Sequence, residues 1–148
     1  MEPILLAYIG VACMLVLSCV GSGWALSNCG NATVGALKKR PEALGSYIAL
    51  SALPSTQGLY GFVGFFFIMP KLTEDISWLT ASGIFGAGLV MGVVGLVTAI
   101  RQSTTCSNGI IAVGQGHNVM AGTLTLAVFP ELYAIIALLT VIFVNGII

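Results

Sequence analysis

Four long apolar runs constrain this chain more than any other feature. They cover about residues 3–37, 43–69, 76–113 and 119–148, and each exceeds the roughly 20 residues that an α-helix needs to cross the hydrocarbon of a bilayer. Between them lie short polar stretches: Lys38-Lys39-Arg40-Pro41-Glu42, Pro70-Lys71-Leu72-Thr73-Glu74-Asp75 and Gly114-Gln115-Gly116-His117-Asn118. Only 7% of the 148 residues are charged, against about 25% in a soluble domain. A water-facing globule could not be covered with so little polar surface. The expected fold is an all-α membrane protein, a single transmembrane domain over 1–148. Its four helices form two tandem hairpins, 3–69 and 76–148.

The loop after the first run holds three of the five basic residues, and basic loops stay on the cytoplasmic side. That places the loops near 38–42 and 114–118 in the cytoplasm and both termini outside. Trp78 then falls near the outer interface. The acidic start Met1-Glu2-Pro3 lacks the basic opening of a secretory signal, so the first run is expected to be a retained span. Net charge is zero, which gives no reason to expect a nucleic-acid partner. Cys13, Cys19, Cys29 and Cys106 form no Cys-x-x-Cys pair and read as small apolar residues. Gly88 and Gly92, in a glycine-crowded third run, read as close helix packing, not phosphate binding.

Within the fourth run stands one carboxylate, Glu131. A charge at the centre of a membrane helix costs roughly 2.5–3.5 kcal/mol on insertion scales, so such a residue is a functional candidate by default. On the second run, Leu53, Thr56, Gln57 and Tyr60 are spaced i, i+3, i+4, i+7 and share a helical face. Thr56, Gln57 and Tyr60 there need polar company in lipid. Gln102 lies in the third run. Counted from the turns near positions 40 and 116, Thr56, Gln102 and Glu131 all sit roughly 21–24 Å deep at about 1.5 Å per residue. A carboxylate, a hydroxyl and two amides at one depth form an oxygen cage suited to a hard cation or a proton. Pro54 cannot donate to the Leu50 carbonyl and should distort the helix beside this face.

The two hairpins also resemble each other. Displaced by 76 residues, Pro54 falls on Pro130, Leu50 on Leu126, Ser27 on Ser103 and Ala36 on Ala112, while Ser55 falls on Glu131. A duplicated hairpin with the carboxylate kept in one half is the simplest account.

The segment Leu53-Pro-Ser-Thr-Gln-Gly-Leu-Tyr-Gly-Phe-Val63, with Gln102 and Glu131-Leu-Tyr-Ala-Ile135, resembles the four-helix proteolipid of V-type (A/V-type) rotary ATPases. This is the c or K subunit, and the likeness is to its sodium-type branch. The resemblance implies a homo-oligomeric rotor ring in lipid, coupled to ATP hydrolysis or synthesis on other subunits, with no catalytic site of its own. It implies Na+ as the carried ion, bound by the Leu53 carbonyl, Thr56, Gln57, Gln102 and Glu131, with Tyr60 closing the site on Glu131. Implied partners are a stator a/I subunit with an arginine and a central-stalk subunit at the cytoplasmic face, where His117 could make a contact. Three residues depart from the pattern. Ser55 replaces a glycine, Pro130 precedes the glutamate and should kink the helix, and Arg101 adds a charge at membrane depth. The alternatives are a proton-carrying rotor proteolipid, a small ion-coupled multidrug exporter and a passive ring. The exporter would be expected to carry its carboxylate in the first helix, which has no acid beyond Glu2. A passive ring would not need a lone glutamate.

Overall fold

The computed structural model describes residues 2–148. Four helices are long and apolar enough to cross a membrane: Pro3–Leu37, Pro41–Lys71, Trp78–Gly114 and Met120–Ile147. They follow the apolar runs closely. The first begins with Pro3 at its opening position, where a missing N–H costs nothing. The third begins two residues later than its apolar run because Ser77 caps it: the Ser77 hydroxyl accepts the Thr80 N–H at 3.1 Å. Gly116, at φ +97°, supplies the left-handed residue in the turn before the fourth helix.

The first and third helices run against each other with almost no side chain between them. A Cβ on Gly88 would strike the carbonyl of Gly10, and one on Gly92 the carbonyl of Cys13. A Cβ on Gly21 would lie 2.7 Å from the Leu96 Cα. Apolar burial gives little drive between helices in lipid, so close backbone approach and interhelical hydrogen bonds supply the association. Asn28 of the first helix donates to Ser103 (3.4 Å) and Ser107 (3.5 Å) of the third. The second and fourth helices pack beside this pair.

Both hairpin turns lie at one end. There the Arg40 guanidinium donates to the Val113 carbonyl at 3.3 Å, and Tyr47 donates to the Arg40 carbonyl at 3.1 Å. The apolar interior is split in two. One cluster, near the turns, contains Cys29, Tyr47, Leu50, Cys106, Ile110 and Ala127. The other, toward the opposite end, contains Met14, Ile68, Ile84, Met91, Ala137 and Val141. Between the two lies a polar layer that includes Ser22, Gln57, Gln102 and Ser103.

Candidate ion-carrying site

The second helix is not regular across this polar layer. Its α-helical stretch Leu44–Ala52 tightens into a 3-10 turn, Leu53–Ser55, before α-geometry resumes at Thr56–Ile68. Pro54, which lacks an N–H, causes the break. In the tightened turn the Leu53 carbonyl takes the Thr56 N–H and, at 3.0 Å, the Thr56 hydroxyl. The proline argument pointed to Leu50, but the carbonyl beside the polar side chains is that of Leu53. Leu50 is buried in the apolar cluster near the turns. The break also leaves the Gly58 N–H without its usual helical partner, and Ser22 of the first helix accepts it at 2.8 Å.

Four side chains converge on the Glu131 carboxylate. The Thr56 hydroxyl lies 2.8 Å from Oε2, Gln102 Nε2 2.9 Å and Gln57 Nε2 3.3 Å. Tyr60 donates to Oε1 at 2.5 Å. Gln57 and Gln102 are fully buried and joined by a 2.8 Å bond from Gln57 Nε2 to Gln102 Oε1. All five side chains named from the sequence, on three helices, thus meet in one cluster with the Leu53 carbonyl at its edge. Glu131 and Tyr60 are half-buried, so the cluster opens toward the outer surface.

The orientation of the amides follows from one backbone contact. Gln102 Nε2 donates to the Ala127 carbonyl at 2.9 Å. A carbonyl can only accept, which fixes the Gln102 nitrogen on that side and turns its oxygen toward Gln57. Oxygens then crowd around Thr56. Leu53 O, Glu131 Oε2 and Gln57 Oε1 lie 3.0, 2.8 and 3.4 Å from its hydroxyl oxygen. A hydroxyl has one proton, so it satisfies one of these acceptors at a time. The surplus of lone pairs is what a cation or an added proton neutralises. With a single carboxylate in the cluster, one monovalent ion leaves it neutral. A divalent ion would leave net charge in a low-dielectric medium.

The remaining sequence candidates fall elsewhere. Ser55 turns back on its own helix, donating to the Ala52 carbonyl at 2.6 Å, and makes no bond to Glu131. Pro130 lies inside the helix Met120–Ile147, which continues through it. Arg101 is exposed on the third helix, and among the described residues the one ion pair is that of Arg40 with Glu42. His117 is exposed in its turn. Two contributors carry no sequence signal of their own. The Ala127 carbonyl is backbone and leaves no trace in the side-chain pattern. Ser22 stands among several serines and glycines interrupting the first run, with nothing to single it out.

The profile of the ATP synthase C-subunit family matches residues 9–68 and again residues 85–144, each end displaced by 76 residues. The chain belongs to this family. The offset is the one at which the two hairpins align in the sequence. The proteolipid is 32% identical over 141 residues to the A-type ATP synthase subunit K of Methanocaldococcus jannaschii, a match covering 95% of this chain and 62% of that protein. It therefore spans less than two thirds of that relative's length. It is 31% identical over 130 residues to the V-type sodium ATPase subunit K of Enterococcus hirae, covering 88% and 83%. Against the 16 kDa proteolipid of the human V-type proton ATPase it is 22% identical over 139 residues, covering 94% and 90%. It is a multi-pass membrane proteolipid of the c/K kind, a non-catalytic subunit.

Proposed function

We propose that this proteolipid carries Na+ on Glu131 as a rotor ring of a rotary A/V-type ATPase turns in the membrane. The ion is bound by Glu131, Thr56, Gln57, Gln102 and the Leu53 carbonyl, and Tyr60 latches the carboxylate. The observation that carries this reading is the crowding of three acceptor oxygens around the single hydroxyl proton of Thr56, beside one carboxylate. The sodium ATPase subunit K of Enterococcus hirae adds support as a relative.

The residues divide the work. Glu131 supplies the one negative charge, which must be neutralised before it can pass through lipid. Gln102, held by the Ala127 carbonyl, presents its oxygen without a side-chain search. Gln57 is held in turn by Gln102. Tyr60 leaves the carboxylate when the ion is exchanged, and a stator arginine supplies the competing positive charge. On this reading the turns near 38–42 and 114–118 face the cytoplasm and a central-stalk subunit, the termini face outward, and 1–148 is one membrane domain whose second hairpin carries the ion. The basic trio Lys38, Lys39 and Arg40 supports that orientation.

A proton-carrying ring is the second reading, favoured by the proton ATPase relatives. Dicyclohexylcarbodiimide attacks a protonated carboxyl, so labelling of Glu131 in membranes separates the two. At fixed pH, Na+ should slow labelling. Labelling that follows pH alone and ignores Na+ gives the proton reading instead.

A further inference from the structure

Arg101 is a charge without an explanation in the isolated chain. It lies one residue from Gln102, at the depth of the ion site, exposed and with no carboxylate within ion-pair distance among the described residues. It lines an apolar groove of about 260 Å³ with Val97, Thr98, Phe129, Pro130 and Tyr133.

The internal repeat says what this groove is. Moved back by 76 residues, its six lining residues become Gly21, Ser22, Ala25, Leu53, Pro54 and Gln57. In the first hairpin five of these are buried and Leu53 is partly so, with Gly21 backed against Leu96 and Gln57 bonded to Gln102. They form the face by which the first hairpin seats on the second. The second hairpin presents the same face with nothing seated on it. The complementary face is open as well. A groove on the first hairpin, lined by Leu26, Gly30, Thr33, Ile48, Ser51 and Ala52, maps onto Gln102, Cys106, Gly109, Leu124, Ala127 and Val128. Of those, Gln102, Cys106, Gly109 and Ala127 are buried. A face and its complement on one chain make a head-to-tail contact, the kind that builds a ring when the rotation between copies closes. The occupant of the Arg101 groove is therefore the first hairpin of a second copy.

At that seam the image of the ion site has lost its carboxylate and both amides. Ser55 stands for Glu131, Leu26 for Gln102, Leu132 for Thr56, Tyr133 for Gln57 and Ile136 for Tyr60. Arg101 stands for Ala25, which lies on the first helix between Ser22, bonded to Gly58, and Asn28, bonded to Ser103. Those partners are the neighbours in sequence of Gln57 and Gln102, so Ala25 is level with the site. Resting on the rotor reading above, we propose that Arg101 is a fixed cation of the intersubunit seam, standing level with the image of the ion site and held by the hydroxyls of Ser51 and Ser55 of the neighbouring copy. Ser55 is the image of Glu131, which within the chain takes the amide of Gln57 across the hairpin contact at 3.3 Å, and Gln57 is the image of Tyr133 in the Arg101 groove; Ser51, the image of Ala127, lies one helical turn from Ser55. Ser55 spends its proton on the Ala52 carbonyl, and Ser51 shares one with Thr33 at 2.8 Å. Their lone pairs remain to accept from a guanidinium, which has five donors and no acceptor.

The test has two arms. The Asn28–Ser103 contact maps onto Thr104 of one copy and Ser27 of the next, both exposed in the isolated chain. In membranes, with the accessible native thiols removed as Cys13→Ala/Cys19→Ala, Ser27→Cys/Thr104→Cys should give a ladder of multimers with a short bifunctional thiol reagent, and neither single variant should. Rings extracted in mild detergent are then weighed by native mass spectrometry. Arg101→Gln should cut the intact-ring fraction several-fold, Arg101→Lys less. Ser51→Ala/Ser55→Ala should cut it by a similar factor, with little further loss when combined with Arg101→Gln, the signature of groups acting together. Carbodiimide labelling of Glu131 reports that each variant is folded. Intact rings without the ladder, or losses that simply multiply, overturn the proposal. A wild-type chain that never forms rings overturns the rotor reading with it.

Discussion

At the scale of single residues, the cluster ranks its members by what each removal leaves behind. Glu131→Gln keeps the shape of the carboxylate and its oxygen while removing the charge. Chains carrying it should insert and pack as before, yet lose carbodiimide labelling and ion transport altogether; a Gln variant that still transports would exclude Glu131 as carrier. Gln102→Ala is a different loss. It strips one donor from the carboxylate, one from the Ala127 carbonyl and the acceptor of Gln57. A buried hydrogen bond to a charged group contributes about 1.5–3 kcal/mol, which is about 10- to 150-fold in affinity. The Na+ concentration that half-protects Glu131 from labelling should rise within that range. An unchanged value would mean that Gln102 only supports the fold. Tyr60→Phe removes the contact to Oε1 alone, so it should speed exchange of the bound ion more than it weakens binding, as measured by the rate at which protection is lost after dilution.

At the scale of elements, helix contacts divide into those that a pattern can announce and those that it cannot. The apolar runs placed all four helices because in lipid the backbone must satisfy itself within each span. Gly88 and Gly92 were legible as a packing stripe, and they face carbonyls of the first helix. Gly88→Leu should therefore prevent the first and third helices from meeting, with loss of ring and of Glu131 labelling together, whereas Gly45→Leu, at an exposed glycine with open space beside it whose image Ala121 is exposed too, should leave both intact. Detergent-extracted ring yield decides between them. That these polar side chains would meet partners was legible too, since Thr56, Gln57 and Tyr60 share a face that apolar spans do not tolerate unpartnered. The choice of carbonyl was not legible in the proline argument, which pointed to Leu50; the resemblance alone named Leu53. Pro54 marks a break, but whether the chain answers with a kink or a 3-10 turn depends on what packs there, and Ser22 accepting the Gly58 N–H is a tertiary fact. Pro130 illustrates the same limit from the other side: the corresponding proline of the other hairpin sits in a helix that continues through it.

At the scale of the whole molecule, a repeated hairpin with a carboxylate in one half sets, on the rotor reading, how much work each ion represents. On that reading a ring of these chains carries one ion for every four helices, where two live hairpins would carry two. For a given free energy per turn, halving the ions doubles the free energy available to each. Regaining the second carboxylate would undo this, and Arg101 stands in the way. In Ser55→Glu the new carboxylate meets the guanidinium of the neighbouring copy across the seam, where an ion pair out of water holds both charges. It should then stay unreactive, and each chain should take up one carbodiimide, the number expected of wild type. Adding Arg101→Ala removes the counter-charge. The Glu at position 55 must then be protonated to remain in lipid, which is the reactive form, so the double variant should take up two per chain. The mass of the labelled chain reads the difference directly. Two labels on Ser55→Glu alone would show that Arg101 does not reach the place where the second ion would sit.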